Sequence, residues 1–305
     1  MEPHVVLNSA VLRAFASQNS VFRVADAVFH LTGPGVVDCL QGVLTNDVIK
    51  PGANSLLWGG LLTPKGMIIS DAWVRRLGAE AWVLVPQAAR ATVQQLFARS
   101  FPPRLVSVRD ATDAVAVLWM TGAAPAAMAA ADLVRPHGGV APFAALLLTE
   151  DPERDQSQLA AAGWPIAPPS WADAFKLIEG WPTLGREIDE KTLPQEVRFD
   201  ELDGVKYDKG CYTGQETVAR LHFRGHANRA VRGLRWIGGN GPADAMVRTA
   251  EREIGTIRTL GRFGDDWLAL AMLRRDVVTG EVVEAGGQPA IVVALPFEAV
   301  ATESA

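Results

Sequence analysis

The sequence predicts an α+β protein in which a larger mixed module precedes a small all-strand barrel. Three observations lead there. Apolar residues recur at helical spacing over 34–45, strand-forming runs separated by tight turns fill 55–85, and from Val231 onward short strand runs alternate with glycines. The first module is expected over residues 1–230, with a subdomain break near 102–120, and the barrel over 231–305.

Each element follows from its own pattern. After Gly33-Pro34-Gly35, the residues Val36, Val37, Leu40, Val43 and Leu44 lie on one helical face, with Cys39 beside it as a core filler. Ser55 to Leu62, Met67 to Arg75 and Ala81 to Val85 read as antiparallel strands joined by Thr63-Pro64-Lys65-Gly66 and by Leu77-Gly78. A helix is expected from Gln87 to Phe101. Beyond Pro102-Pro103 come strands at Val106 to Asp110 and Val115 to Met120, then a short helix from Pro125 to Leu133 and a polar, proline-rich stretch over 150–170. In the last part Gly241-Pro242, Gly255, Gly261, Gly280 and Gly286-Gly287 set the rhythm of a small barrel.

Composition narrows the function classes. With 305 residues, 49% hydrophobic and 21% charged, the chain can bury more than one core. Its two cysteines, Cys39 and Cys211, stand far apart in no CxxC pattern, which argues against a disulfide framework and for a reducing compartment, the cytoplasm. Glu2, Arg13, Arg23 and Asp26 break the first thirty residues, so no secretory signal is expected. The uncharged run from Ala114 to Ala131 is interrupted by Thr121, Gly122 and Pro125 and reads as strand, turn and helix rather than a membrane span. A monomer is expected.

Charge is uneven. The chain carries −5 overall, yet Lys206, Lys209, Arg220, Arg224, Arg229, Arg232 and Arg235 face only Asp208 and Glu216 over 204–235, making that segment +5. Such a stripe suits an anionic ligand, or it is a solvated arginine face. Nucleic acid is not expected, because the pI is 5.6 and stacking aromatics are sparse.

The most informative stretch lies inside that stripe. Lys209-Gly210-Cys211-Tyr212-Thr213-Gly214-Gln215-Glu216 sets a thiol between two glycines beside an ammonium. Thr213-x-x-Glu216 fits a capping box, so a helix should start there and run through Val218 towards Phe223. The helix end and Lys209 would then both favour thiolate at Cys211. The bland reading keeps Cys211 as a small hydrophobe and the glycines as turn residues. Cys211 with His222-x-x-x-His226 offers three potential zinc ligands but no fourth. Two distant cysteines cannot hold an iron-sulfur cluster alone, so no intrinsic metal site is expected; if Cys211 touches a cluster, the other ligands must come from a partner, a second copy or a small thiol. Asp71, within the apolar run Ile68 to Val74, needs a partner if buried.

Leu193-Pro194-Gln195-Glu196, Phe199-Asp200, Gly204-Val205, the octapeptide, Ala219-Arg220 and Phe223-Arg224-Gly225 together resemble the signature of the YgfZ proteins. Upstream, Leu31-Thr32-Gly33-Pro34, Leu40-Gln41-Gly42, Leu44-Thr45-Asn46-Asp47 and Leu62-Thr63-Pro64-Lys65-Gly66 with Asp71 follow the same pattern in order and spacing. The resemblance implies a folate-binding module like that of the glycine-cleavage aminomethyltransferases, joined to a C-terminal β-barrel. It implies support for assembly or repair of [4Fe-4S] clusters in iron-sulfur enzymes, with Cys211 as the functional thiol assisted by Lys209 and Asp71. Tetrahydrofolate or a related folate would be bound, with Gly210, Tyr212, Gly214, Gln215, Glu216, Arg220, Arg224 and Asp71 as binding residues and Trp58 or Trp73 as walls. A [4Fe-4S] cluster would be shared transiently with a partner. The partners implied are A-type iron-sulfur carriers and [4Fe-4S] target enzymes.

Departures from the pattern qualify this. Lys176-Leu177-Ile178-Glu179-Gly180 stands where relatives tend to read Arg-Ile-Glu-Ala-Gly, and Arg198-Phe199-Asp200 replaces Asn-Leu-Asp. Nothing between Gly138 and Glu150 reproduces the acidic stretch that holds the pterin in the aminomethyltransferases. The expected role is therefore an accessory one rather than aminomethyl transfer, with a folate-dependent one-carbon transferase as the alternative.

Overall fold

The computed structural model describes residues 1–7, 19–122, 133–236, 239–263 and 266–297. In the first part come β1 (Val5–Leu7), β2 (Ser20–Val24), β3 (Asp26–Thr32), helix α1 (Val36–Gln41), β4 (Asn54–Leu62), β5 (Ile68–Leu77), β6 (Glu80–Pro86) and α2 (Arg90–Ser100). The middle holds β7 (Ser107–Asp110), β8 (Ala116–Thr121), β9 (Leu133–Val134), β10 (Ala145–Thr149), α3 (Pro152–Ala161), α4 (Trp171–Glu179) and α5 (Gln215–Arg224). The chain continues through β11 (Arg229–Trp236), β12 (Met246–Arg248), β13 (Glu253–Phe263), β14 (Asp266–Arg274), β15 (Val282–Ala285) and β16 (Gln288–Val293).

The strands form three sheets. One is antiparallel in the order β4-β5-β6-β3-β7, and a second runs β2-β8-β10-β9. In the third, β13-β12-β15-β16-β11-β14 closes on itself through the β13–β14 pairing, and β1 adds to β13 in parallel. Closure leaves the six barrel strands without a free edge. The α+β class and the glycine-punctuated barrel are thus as the sequence predicts. The mechanism is visible at Gly241 (φ 72) and Gly286 (φ 59), where a Cβ would lie 2.4 Å from the Trp267 ring and 2.3 Å from Pro242.

Strand alternation assigns the cores. Ala72 and Val74 of β5 face a cluster with Phe29, Leu31, Val93 and Phe97, so α1 and α2 cover one side of the first sheet. Trp73 of β5, Val28 of β3, Phe22 of β2, Val117 and Trp119 of β8, and Val231 and Leu270 of the barrel share a central cluster. Leu234, Ala269, Ala271 and Leu273, which alternate with those barrel residues, fill the barrel. The two N-terminal sheets and the outside of the barrel therefore meet at one central core.

Two expectations change. The proline-rich stretch contains α3, because Asp151 caps its start by accepting from Arg154 N and Pro152 occupies the first turn, where a missing N–H costs nothing. The predicted helix of 34–45 shortens to Val36–Gln41, since Gly42 caps it and Asn46 and Asp47 turn the chain away. The helix expected over 125–133 lies almost wholly outside the described residues.

Candidate functional site

The motifs that lie about 160 residues apart in sequence form one hydrogen-bonded unit. Thr45 Oγ1 donates to Gly204 O (2.6 Å) and accepts from Gly60 N (2.7 Å). Asn46 Nδ2 donates to Trp58 O (2.7 Å) and Asp203 O (2.6 Å), while its carbonyl accepts from Asp47 N. Gln41 Nε2 reaches Lys209 O (2.9 Å), and Thr213 N donates to Gly42 O (3.0 Å). The loop 203–213 is thereby clamped to the C-terminal end of α1 and to β4. Gly214 packs on the β4–β5 turn, where a Cβ would stand 2.6 Å from Thr63 O.

This clamp presents Cys211 to solvent. Gly210, at φ 91, has open space around it, which leaves the backbone beside the thiol approachable. Cys39 is half-buried against the helix-covered core, and burial, reinforced by Asp38, pushes its thiol pKa up. The capping box is not formed. Gly214 in the left-handed region (φ 83) caps α5 instead, with no side-chain cap bond, because the turn must fit closely against Thr63 and Gly66. Glu216 is exposed and Gln215 half-buried.

The Lys209 ammonium is engaged by backbone carbonyls. The residue is only 7% exposed, and its ammonium donates to Gln41 O (2.7 Å) and Leu44 O (2.5 Å), both acceptors near the end of α1, while lying 5.0 Å from the Tyr212 ring centroid. Burial lowers its pKa to about 8, opposed by the nearby Asp47 carboxylate. Tyr212 is buried with its hydroxyl unpaired among the described residues.

The cationic stripe also divides. Lys206 pairs with Asp203, Arg229 forks onto Glu196 (2.8 and 3.1 Å) and Arg235 bonds Asp266 (3.1 Å). With Lys209 buried, four of the seven cations serve the fold. Arg220 and Arg224 stand exposed on α5. Among the described residues no group of three or more His, Cys, Asp or Glu side chains is placed to hold a metal ion; His222 instead stacks on Tyr207.

A second constellation lies in the central core, where strand parity turns Asp26, Asp71 and Trp119 inward. Asp71 is 7% exposed; its Oδ2 accepts from Trp58 Nε1 (3.1 Å), and its Oδ1 has no partner among the described residues. Burial raises its pKa, with Lys176 and the Trp58 bond opposing. Asp26 is raised by burial to about 6, opposed by Lys176 and reinforced by Asp71. Lys176 from α4 lies 5.5 Å from the Trp119 ring centroid, and Trp119 Nε1 is likewise without a partner. Trp58, Trp181 and Trp73 wall the region, the last two stacked at 13° and 5.6 Å. Asp26 also borders a pocket of about 380 Å³ between β2, β8 and Pro169. Two carboxylates, one ammonium, an orphaned acceptor and an orphaned donor among aromatic side chains are the types of group that hydrogen-bond and stack on a flat heteroaromatic ring.

Asp71, Trp58 and Trp73 were visible in the sequence, whereas Asp26, Trp119 and Trp181 were not singled out for the site. A lone acid opening the apolar strand Ala27-Val28-Phe29 was the only available signal. Because the native state holds a proton on Asp26 more tightly than the unfolded chain does, stability contributed by this group falls as pH rises from about 4 to 6. An Asp26→Asn protein is therefore expected to gain about 1–3 kcal/mol over wild type at pH 7.5 and nothing at pH 3.5. Paired urea titrations at the two pH values check this; an equal difference at both would refute it.

Residues 21–135, which include β2 to β8 and Asp71, match the family described as the GCVT N-terminal domain. Over 215 residues the chain is 26% identical to the tRNA-modifying protein YgfZ of Vibrio vulnificus strain YJ016, covering 66% of this chain and 65% of that protein's length. The protein of the same name from Aliivibrio fischeri strain MJ11 is 39% identical over 102 residues, 32% of each chain. The fold superposes on the glycine cleavage system aminomethyltransferase T from Bartonella henselae with a TM-score of 0.76 and 17% identity, covering 94% of this chain and 88% of that one. The octapeptide and its α1 cradle thus belong to one clamped unit on an aminomethyltransferase-like fold, and in sequence the chain is similar to the YgfZ proteins over about two thirds of its length, spanning just under two thirds of theirs.

Proposed function

We propose that the protein binds a reduced folate in the central core and supports assembly or repair of [4Fe-4S] enzymes through Cys211. The observation that supports the folate half most directly is the pair of unpartnered buried atoms, Asp71 Oδ1 and Trp119 Nε1, both on residues neighbouring Lys176. A pterin edge carries both donors and acceptors, so it satisfies groups that are costly to leave unpaired in a buried site. Trp58 and Trp73 would flank the ring, and Lys176 would favour the anionic end of the ligand. A bound folate supplies one-carbon chemistry; the residues of this chain orient it and exclude water.

The accessory half rests on the solvent-facing Cys211 and on its rigid mounting. A thiol held outward on a clamped loop can meet a partner's cluster, and it needs further ligands from that partner. A-type carriers and [4Fe-4S] target enzymes are the partners of this reading, and tRNA modification, for which the Vibrio and Aliivibrio relatives are named, is the process it would serve. The location in this reading is the cytoplasm; no helix among the described residues is long and apolar enough to cross a membrane.

Titration with tetrahydrofolate is expected to give binding that weakens at least about tenfold in Asp71→Asn, the equivalent of one lost charged hydrogen bond. In cells, Cys211→Ser should depress [4Fe-4S] enzyme activity while Asp71→Asn leaves it largely intact. Should Asp71→Asn abolish that activity as fully as Cys211→Ser, the second reading, a folate-dependent one-carbon transferase with Asp71 as acid or base, takes precedence. No folate binding by the wild type would remove the central-core assignment.

A further inference from the structure

A pocket of about 300 Å³ lies at the far end of α5 from Cys211, between that helix, the start of β11 and the residue after β14. Its charges are not balanced. Glu201 is held by Arg198 (2.7 Å) and Arg229 is forked onto Glu196, while Asp200, which accepts from the Tyr207 hydroxyl and lies 3.9 Å from His222 Nδ1, contributes one negative charge. Arg232 and Arg275 also line it, and neither side chain has an acidic partner among the described residues. The pocket adjoins a groove of about 630 Å³ that shares His226 and Arg275 with it and continues past Asn228 and Arg274.

Two buried polar atoms in its walls are unsatisfied among the described residues, Arg232 Nε and Gln195 Oε1. A donor and an acceptor left open in a concave, cation-lined site mark a place for a polar ligand. An arginine pair suits a phosphate, whose oxygens take several N–H donors at once. Beside it, His222 stacks on Tyr207 at 3.7 Å and 19°, and Phe223 stands edge-on to His222 at 4.8 Å while remaining 67% exposed. The sequence holds few aromatics, but the helix and the loop before it group Tyr207 and Phe223 around His222, which lines the arginine pocket. Exposed rings next to unpaired arginines are the arrangement that stacks a base and holds its phosphate.

We propose that this pocket binds a nucleoside phosphate, with the phosphate at Arg232 and Arg275 and the base against the His222–Phe223 rim. The chemistry is shared by a free nucleotide and by one unit of an RNA strand. The site is separate from the folate core and independent of the role of Cys211.

The test titrates the full chain with AMP, inorganic phosphate and a fluorescein-labelled single-stranded RNA dodecamer, following anisotropy or heat. Wild type is expected to bind AMP or the RNA at least tenfold more tightly than inorganic phosphate, and more weakly as salt rises. Arg275→Glu, an exposed change, should reduce that binding at least tenfold and leave tetrahydrofolate binding unchanged; Phe223→Ala should reduce it about fivefold. RNA binding in the absence of AMP binding assigns the site to a strand, and AMP binding that competes with RNA assigns it to either source. The proposal fails if neither AMP nor RNA binds at millimolar concentration, if phosphate binds as tightly as both, or if Arg275→Glu and Arg232→Gln leave binding unaltered.

Discussion

Replacing Gly214 by alanine is expected to destabilise the protein by about 3 kcal/mol or more, whereas the same change at Gly210, four residues away, should cost only about 1 kcal/mol. Both glycines have positive φ, 83° and 91°, so both variants meet the penalty of a left-handed alanine. Only Gly214 meets a second one. Its Cβ would lie 2.6 Å from Thr63 O and 3.0 Å from Gly66 Cα, and these are backbone atoms of the β4–β5 turn that cannot rotate aside. The start of α5 would have to lift off that turn, carrying the Cys211 loop with it. Urea denaturation of the two variants measures the difference; equal losses would mean that close approach to the turn is not what requires glycine at 214.

The second large effect concerns Asn46. Asn46→Ala is expected to cost about 2–4 kcal/mol, because it leaves the Trp58 and Asp203 carbonyls and the Asp47 N–H without their partners in a buried place. The loss should be more than a loss of stability. Asn46 joins β4, which carries Trp58, to the loop that carries Cys211. Without it, loop 203–213 loses one of its clamps to β4, and limited proteolysis should cut there sooner than in wild type. Asn46→Asp should be at least as damaging, since a carboxylate oxygen would face one of the two carbonyls. A variant that is destabilised yet as protease-resistant at 203–213 as wild type would show that the clamp is held by Thr45 and Lys209 instead.

Both expectations come from a part of the molecule that the sequence had already marked without explaining. Leu44-Thr45-Asn46-Asp47 and Lys209 to Glu216 stood out as separate motifs. Their side-chain chemistry is legible in a linear reading: short polar residues, glycines and one thiol. Their purpose is not, because each satisfies hydrogen bonds supplied by the other. Arg198 is similar. In sequence it is a departure from an expected asparagine; in the fold it adopts φ 66 and donates to Glu179 O (2.6 Å) and Gly180 O (2.9 Å), closing the end of α4. A long guanidinium reaches acceptors that no nearby position in the chain would suggest.

What the sequence determined by itself was local and periodic. Alternation in β4 to β6, the helical spacing after Gly35, and the glycine rhythm of the barrel follow from backbone geometry and burial, which act over a few residues. It also determined which thiol is available, since Cys39 lies beside an apolar helix face and Cys211 lies between glycines. Tertiary structure alone decided where the charges are spent. Lys209 is turned onto the end of α1, Arg229 and Arg235 are paired, and Arg232 and Arg275 are left open at a pocket. It alone gathered Asp26, Asp71, Trp119 and Lys176, which come from three strands and a helix. The physical reason is that the energy of a buried charge depends on desolvation and on partners within a few ångströms, and those distances are set by sheet packing rather than by separation along the chain.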